Sequence, residues 1–189
     1  MGTRGCLGIR MNGEIHYLYS SDIDSEFGLK VIRLVQTLGS DSNMSMLLID
    51  ALQKVEWVDG FSNPTIEQMN GFSGVYRSNG QHNIDFETKK VIYNDQWDVY
   101  NYEWFSVFIL EPVDCMYFMC DHHLSHIPEL KKVELDKYNI WLKEIYIIDF
   151  DASMLVMYKD CLLVSVSDFG SITKGAAESE KLLYAIEDI

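Results

Sequence analysis

The sequence predicts an α+β protein in which antiparallel sheets are covered by helices. Three observations carry that prediction. Residues 5–11 and 14–19 form two short alternating runs joined at Asn12-Gly13, the dipeptide that suits a type I′ hairpin turn because both central residues need positive φ. Two segments with helical apolar spacing follow directly. Later, Ile84 to Tyr93 and Ile148 to Tyr158 echo each other, each reading as strand end, polar turn and next strand.

Taken in order, Gly2, Gly5 and Gly8 line the first strand and its approach, which points to close backbone packing or a fitted ligand. Asp24 or Ser25 is placed to cap a helix over 26–38, whose apolar residues Phe27, Val31, Leu34, Val35 and Leu38 recur at three and four. Gly39 reads as its terminator. Ser42 or Asn43 begins a second helix to about Val55, with Leu47, Leu48, Ala51, Leu52 and Val55 on its inner face. Residues 57–80 are rich in turn formers, with a short helix expected over 64–69 after Pro64. Glu103 to Leu110 and Cys115 to Cys120 read as strands around a turn at 111–114. Asp121 to Leu130 reads as a histidine-rich loop, with Pro128 opening a helix to about Lys143. Strands at 145–150, 154–158 and 161–167 and a helix from Ser171 or Thr173 to about Glu187 complete the chain. No composition break divides the 189 residues, so one domain spanning 1–189 is expected.

Charge is the strongest global property. Twenty-nine acidic residues against fifteen basic ones give a net charge of −14. Such a field repels phosphate backbones and argues against direct nucleic-acid binding. It favours a protein partner with a basic or mixed surface, or imitation of a nucleic acid. Cys6, Cys115, Cys120 and Cys161 have no paired spacing, so reduced and mostly buried thiols are expected. No signal-like start and no membrane-length apolar run are present, which places the protein in the cytoplasm with no membrane association.

Four groups of residues carry chemistry that suits a site. The segment 91–130 has no lysine or arginine and many aromatic residues. Within it, Asp95, Trp97, Asp98, Tyr100 and Tyr102 form a stretch too polar for a core strand and too aromatic for an ordinary loop. Tyrosine and tryptophan offer large rigid contact area, so this stretch is the expected partner-binding site, with a satellite cluster beneath the loop as the plainer alternative. Cys6 is a candidate nucleophile if Arg4 and Arg10 lower its pKa and His16 reaches it across the hairpin; a small buried cysteine is the plainer role. Asp121, His122, His123 and His126 have metal-compatible chemistry, although a loop holds adjacent histidines poorly on one ion. Asp22 and Asp24 lack the rest of a calcium loop. No cofactor motif occurs, and none is expected.

The opening MGTRG, together with Gly8, Gly13, Tyr17, Tyr19 and the turn from Asp22 to Gly28, resembles a loosely defined set of uncharacterised phage, bacterial and fungal proteins. In that set an acidic-aromatic-tryptophan strand and a hairpin follow, an element that Tyr102-Glu103-Trp104 and Cys115 to Cys120 resemble here. A second resemblance, to N-terminal nucleophile hydrolases, implies a four-layer αββα sandwich. It would put a nucleophile at Thr3 or Cys6 only if the residues before it were removed. Methionine removal alone exposes Gly2, which carries none. The resemblances imply a phage-encoded inhibitor of a host or defence protein in the host cytoplasm. The alternative is an amide-bond hydrolase or small-ligand enzyme using Cys6 or Thr3; the non-catalytic reading is preferred.

Overall fold

The computed structural model describes residues 3–23, 26–62, 64, 68, 82–85, 90–93, 103–108, 110–132, 134–135 and 142–174. It is a mixed α+β fold with a largely antiparallel sheet flanked by helices. Strands β1 (Thr3–Met11) and β2 (Glu14–Ile23) form the expected hairpin. Asn12 and Gly13 both have positive φ, 53° and 81°, as a type I′ turn requires. β7 (Leu142–Asp149), β8 (Met154–Lys159) and β9 (Leu162–Asp168) complete a five-stranded sheet ordered β2-β1-β7-β8-β9. All its pairings are antiparallel except β1 with β7, where Cys6 lies opposite Ile145 and Ile9 opposite Ile148. The first hairpin is therefore at one side of the sheet, with β2 outermost among the described residues. Two further pairs complete the described strands: β3 (Glu56–Asp59) runs parallel to β6 (His126–Glu129), and β4 (His82–Asp85) is antiparallel to β5 (Lys90–Tyr93).

The tips of two hairpins are tied together. Both carboxylate oxygens of Asp151, in the β7–β8 turn, accept from the backbone N–H groups of Asn12 and Gly13 at 2.8 Å each. The β8–β9 turn is a two-residue loop, Asp160-Cys161, with φ of 47° and 67°. Cys161 thus belongs to the turn, one residue ahead of the strand expected to include it.

Helix α1 (Phe27–Ser40) buries Phe27, Val31, Leu34, Val35 and Leu38, the spacing read from the sequence. Its N-cap residue is Glu26, whose side chain makes no capping bond. Gly39 does not end it. The helix runs through Gly39 because α5 (Phe169–Lys174) packs there: a Cβ on Gly39 would stand 2.3 Å from Thr173 Cγ2. Asp41 then closes one helix and opens the next. Its N–H donates to Thr37 O at 2.8 Å, while its carboxylate accepts from Asn43 and Met44 N–H at 3.0 Å each. Helix α2 (Ser42–Lys54) buries Leu48, Ala51 and Leu52, but Leu47 is exposed.

Residues 104–107 and 115–120 are helical where strands were expected. α3 (Trp104–Val107) is one turn, and α4 (Pro112–Asp121) has proline in its first turn. Pro112, Val113, Cys115, Met116 and Met119 are buried, a helical stripe that a run apolar on both strand faces conceals. Pro128 sits inside β6 rather than at a helix start, and residues 56–59 and 126–129 are strand where loops were expected. The parallel partners are distant in sequence and four residues long, too short to announce themselves. Most of the expected helix over 64–69 and most of the C-terminal helix lie outside the described residues.

α1 and α4 cover one face of the large sheet, α2 packs chiefly on α4, and α5 on α1. This side holds the main core around Leu7, Ile9, Val31, Leu34, Trp104 and Ile148. On the opposite face a smaller cluster gathers Cys6, Leu130, Leu135, Leu142 and Ile145. Gly8 serves close packing there, where a Cβ would lie 3.1 Å from Ile147 Cγ1, and Gly5 does so against the main core, where one would lie 2.8 Å from Ile23 Cδ1.

Candidate functional site

Strand register decides the fate of the cysteine-centred candidates. Cys6 lies opposite Tyr19, and His16 opposite Ile9. Directly paired residues share a face and neighbours along a strand alternate, so the odd offset between Cys6 and Ile9 puts Cys6 and His16 on opposite sides. Cys6 is fully buried in the smaller cluster. Burial pushes its thiol pKa well up, the reverse of what a nucleophile needs. Arg10 pairs with the buried carboxylate of Asp149 at 3.3 Å, and Thr3 and Arg4 are exposed at the start of β1.

His16 instead anchors the β3–β6 pair to β2. Its Nδ1–H donates to Glu129 Oε2 at 2.7 Å, and its ring stacks on Trp57 with centroids 4.2 Å apart and planes 5° apart. Its Nε2 stands 3.8 Å from Glu14 Oε2. Lys131 Nζ donates to the other oxygen of Glu129. Burial raises the Glu129 pKa, but the hydrogen bonds and charges of His16 and Lys131 outweigh it and hold the carboxyl below its ordinary value. The backbone completes this junction where Leu130 N–H donates to Tyr17 O at 2.8 Å.

The metal candidates are dispersed. Asp121 ends α4, His122 stacks on Phe118 at 4.3 Å, and His126 on β6 pairs with Glu56 at 3.2 Å. His123 is exposed. Among the described residues, no three His, Cys, Asp or Glu side chains converge as metal ligands. The partner-binding candidates Asp95, Trp97, Asp98, Tyr100 and Tyr102 lie outside the described residues.

Immediately after them, however, the chain enters a cleft of about 330 Å³ between β2, the β3 turn and the α3–α4 segment. Tyr19, Phe61, Phe105 and Phe108 contribute its rings, and Glu103 and Glu111 its charges; no lysine or arginine lines it among the described residues. Phe105 is the hinge of this arrangement. Its ring centroid is 5.3 Å from Tyr19, tilted 56°, and 5.2 Å from Phe61, at 87°. Two backbone bonds dock α3 on the β3 turn: Trp104 N–H to Ser62 O and Phe105 N–H to Gly60 O, each 3.0 Å. Gly60 N–H in turn donates to Glu129 O at 2.9 Å. A Cβ on Gly60 would meet Phe105 Cζ at 2.1 Å, so only glycine leaves room for the ring.

Sequence reasoning singled out Phe105 as part of an acidic, aromatic segment but assigned it to a strand. Glu103 and Glu111 were legible as acids in a stretch without lysine or arginine. Phe61 and Tyr19, from residues far apart in the chain, gave no signal that they would meet it. The cleft combines aromatic rings with the carboxylates of Glu103 and Glu111 and the serines Ser20 and Ser21.

No family model, curated protein or solved structure matches this chain. Among the described residues, no helix is long and apolar enough to cross a membrane.

Proposed function

We propose that the protein is a non-catalytic binding module that engages a partner protein with a basic or mixed surface. The observation that carries this reading is the cleft, where Tyr19, Phe61 and Phe105 stand with Glu103 and Glu111 and no lining cation among the described residues. In sequence, Glu103 follows directly on the aromatic, acidic stretch that includes Trp97 and Tyr100. A net charge of −14 adds long-range attraction for a basic surface, which speeds encounter and weakens as salt rises. The resemblance of the MGTRG start to phage proteins extends the proposal to a phage-encoded inhibitor acting on a host or defence protein in the host cytoplasm.

The alternative of a hydrolase using Cys6 finds no supporting geometry, because the thiol is buried and its candidate base faces the other side of the sheet. The binding reading is tested by quantitative pull-down from host lysate with three proteins: wild type, E103Q/E111Q, and W97A/Y100A. A basic partner retained by wild type in low salt should fall at least tenfold with each variant. Equal retention by all three, or no protein held above background, would overturn the proposal.

A further inference from the structure

Resting on the binding reading, we propose that the cleft receives the ammonium end of a lysine side chain supplied by the partner. Phe61 meets Phe105 at 87° and Tyr19 meets it at 56°, with centroids 5.2 and 5.3 Å apart. A planar guanidinium stacks best in a slot between parallel ring faces, and neither of these pairs is parallel; a compact ammonium needs no such slot.

Charge narrows the ligand further. Glu103 and Glu111 line the cleft, and no lysine or arginine does so among the described residues. Phosphates and carboxylates are therefore repelled. A purely aliphatic group would leave those carboxylates without a counter-charge, while an ammonium gains both the carboxylate field and the ring quadrupoles. The volume of about 330 Å³ lies at the small end of ligand pockets, enough for a side chain with its flanking backbone.

The aromatic wall is also built in advance. The Phe105 backbone is held by its N–H bond to Gly60 O at 3.0 Å, and the Gly60 N–H bond to Glu129 O at 2.9 Å ties that turn to β6. The missing side chain at Gly60 is what admits the ring, since a Cβ there would fall 2.1 Å from it. Rings held in place before binding lose little freedom when a ligand arrives.

The test uses the full chain, isotopically labelled, titrated with Nα-acetyl-lysine N-methylamide and with its norleucine and arginine counterparts. Norleucine keeps the aliphatic stem and loses the charge. The lysine compound should saturate in the millimolar range and shift the amide signals of Tyr19, Gly60 and Phe105. The norleucine and arginine compounds should bind at least tenfold more weakly. E103Q/E111Q should bind the lysine compound at least tenfold more weakly with an unchanged melting temperature. Equal binding of norleucine, tighter binding of arginine, or shifts confined to another part of the protein would overturn the inference. Saturating lysine compound that fails to compete with a captured partner also overturns it, while leaving the binding reading intact. Lysine-selective binding with no partner captured leaves an ammonium site in the cleft but overturns its occupation by a partner's lysine together with that reading.

Discussion

Replacing Gly39 by alanine sets two effects of known size against each other. In an α-helix interior alanine is favoured over glycine by about 1 kcal/mol. Gly39 has helical neighbours on both sides and a backbone outside the left-handed region, so that gain is available. Against it, the new Cβ would sit 2.3 Å from Thr173 Cγ2, at least about 1.2 Å inside ordinary carbon–carbon contact of roughly 3.5 Å. Overpacking of this kind costs about 1–3 kcal/mol. The net expectation for G39A is a loss of about 1 kcal/mol. Thr173→Ser removes the clashing methyl and keeps the hydroxyl that donates to Phe169 O at 2.9 Å. The next contacts, Phe169 O at 3.5 Å and Thr173 Cβ at 3.6 Å, are ordinary. In the T173S background, then, G39A should stabilise by up to about 1 kcal/mol. Urea unfolding of wild type, both single variants and the double variant measures the coupling, expected at about 1–3 kcal/mol. A glycine that terminated the helix in the left-handed region would be damaged by alanine whether or not the methyl is present. Loss of stability in both backgrounds, with coupling under about 0.5 kcal/mol, would refute the packing account.

Gly60→Ala should cost about 1–3 kcal/mol in urea and displace Phe105, read as altered near-ultraviolet dichroism; an unchanged midpoint and spectrum would show that the ring has room to spare. Cys161→Gly should raise the melting temperature, because Cys161 holds a φ of 67° that costs a non-glycine residue about 1–2 kcal/mol, offset in part by the unfolded-state entropy of glycine; a lower melting temperature would count against that turn geometry. Glu129 gives a pH dependence. Its folded pKa lies below the ordinary value of 4.5, so its contribution is fully present above about that pH and disappears as the pH falls through the folded value. The stability advantage of wild type over E129Q should therefore shrink between pH 6 and pH 3, and an advantage that grows on acidification would contradict the lowered pKa.

Local chemistry was what the sequence displayed best. Asn12-Gly13 named its own turn, since few residue pairs accept two positive φ values. The stripes in α1 and α2 announced helices because one face of each is buried against a neighbour. Failures came where local pattern was degenerate. Residues 104–120 are apolar in a way that suits a covered strand or a buried helix equally, and Pro112 fits either a turn or the first turn of a helix. Leu47 follows the α2 apolar pattern yet is 45% exposed, because α4 and α1 cover only part of that helix.

The amino-acid sequence by itself determined the α+β class, the Asn12-Gly13 hairpin, helices α1 and α2 and the acidic character, all properties of neighbouring residues or of totals. Tertiary structure alone decided that β1 and β7 pair in parallel across more than a hundred residues of chain. It decided that Gly39 accommodates Thr173 rather than ending a helix, and that Cys6 and His16 face apart. It also brought Tyr19, Phe61 and Phe105 together around one cleft. The reason is physical: turn and helix propensities act over a few residues, whereas a cleft is made by side chains whose separation along the chain carries no record of their separation in space.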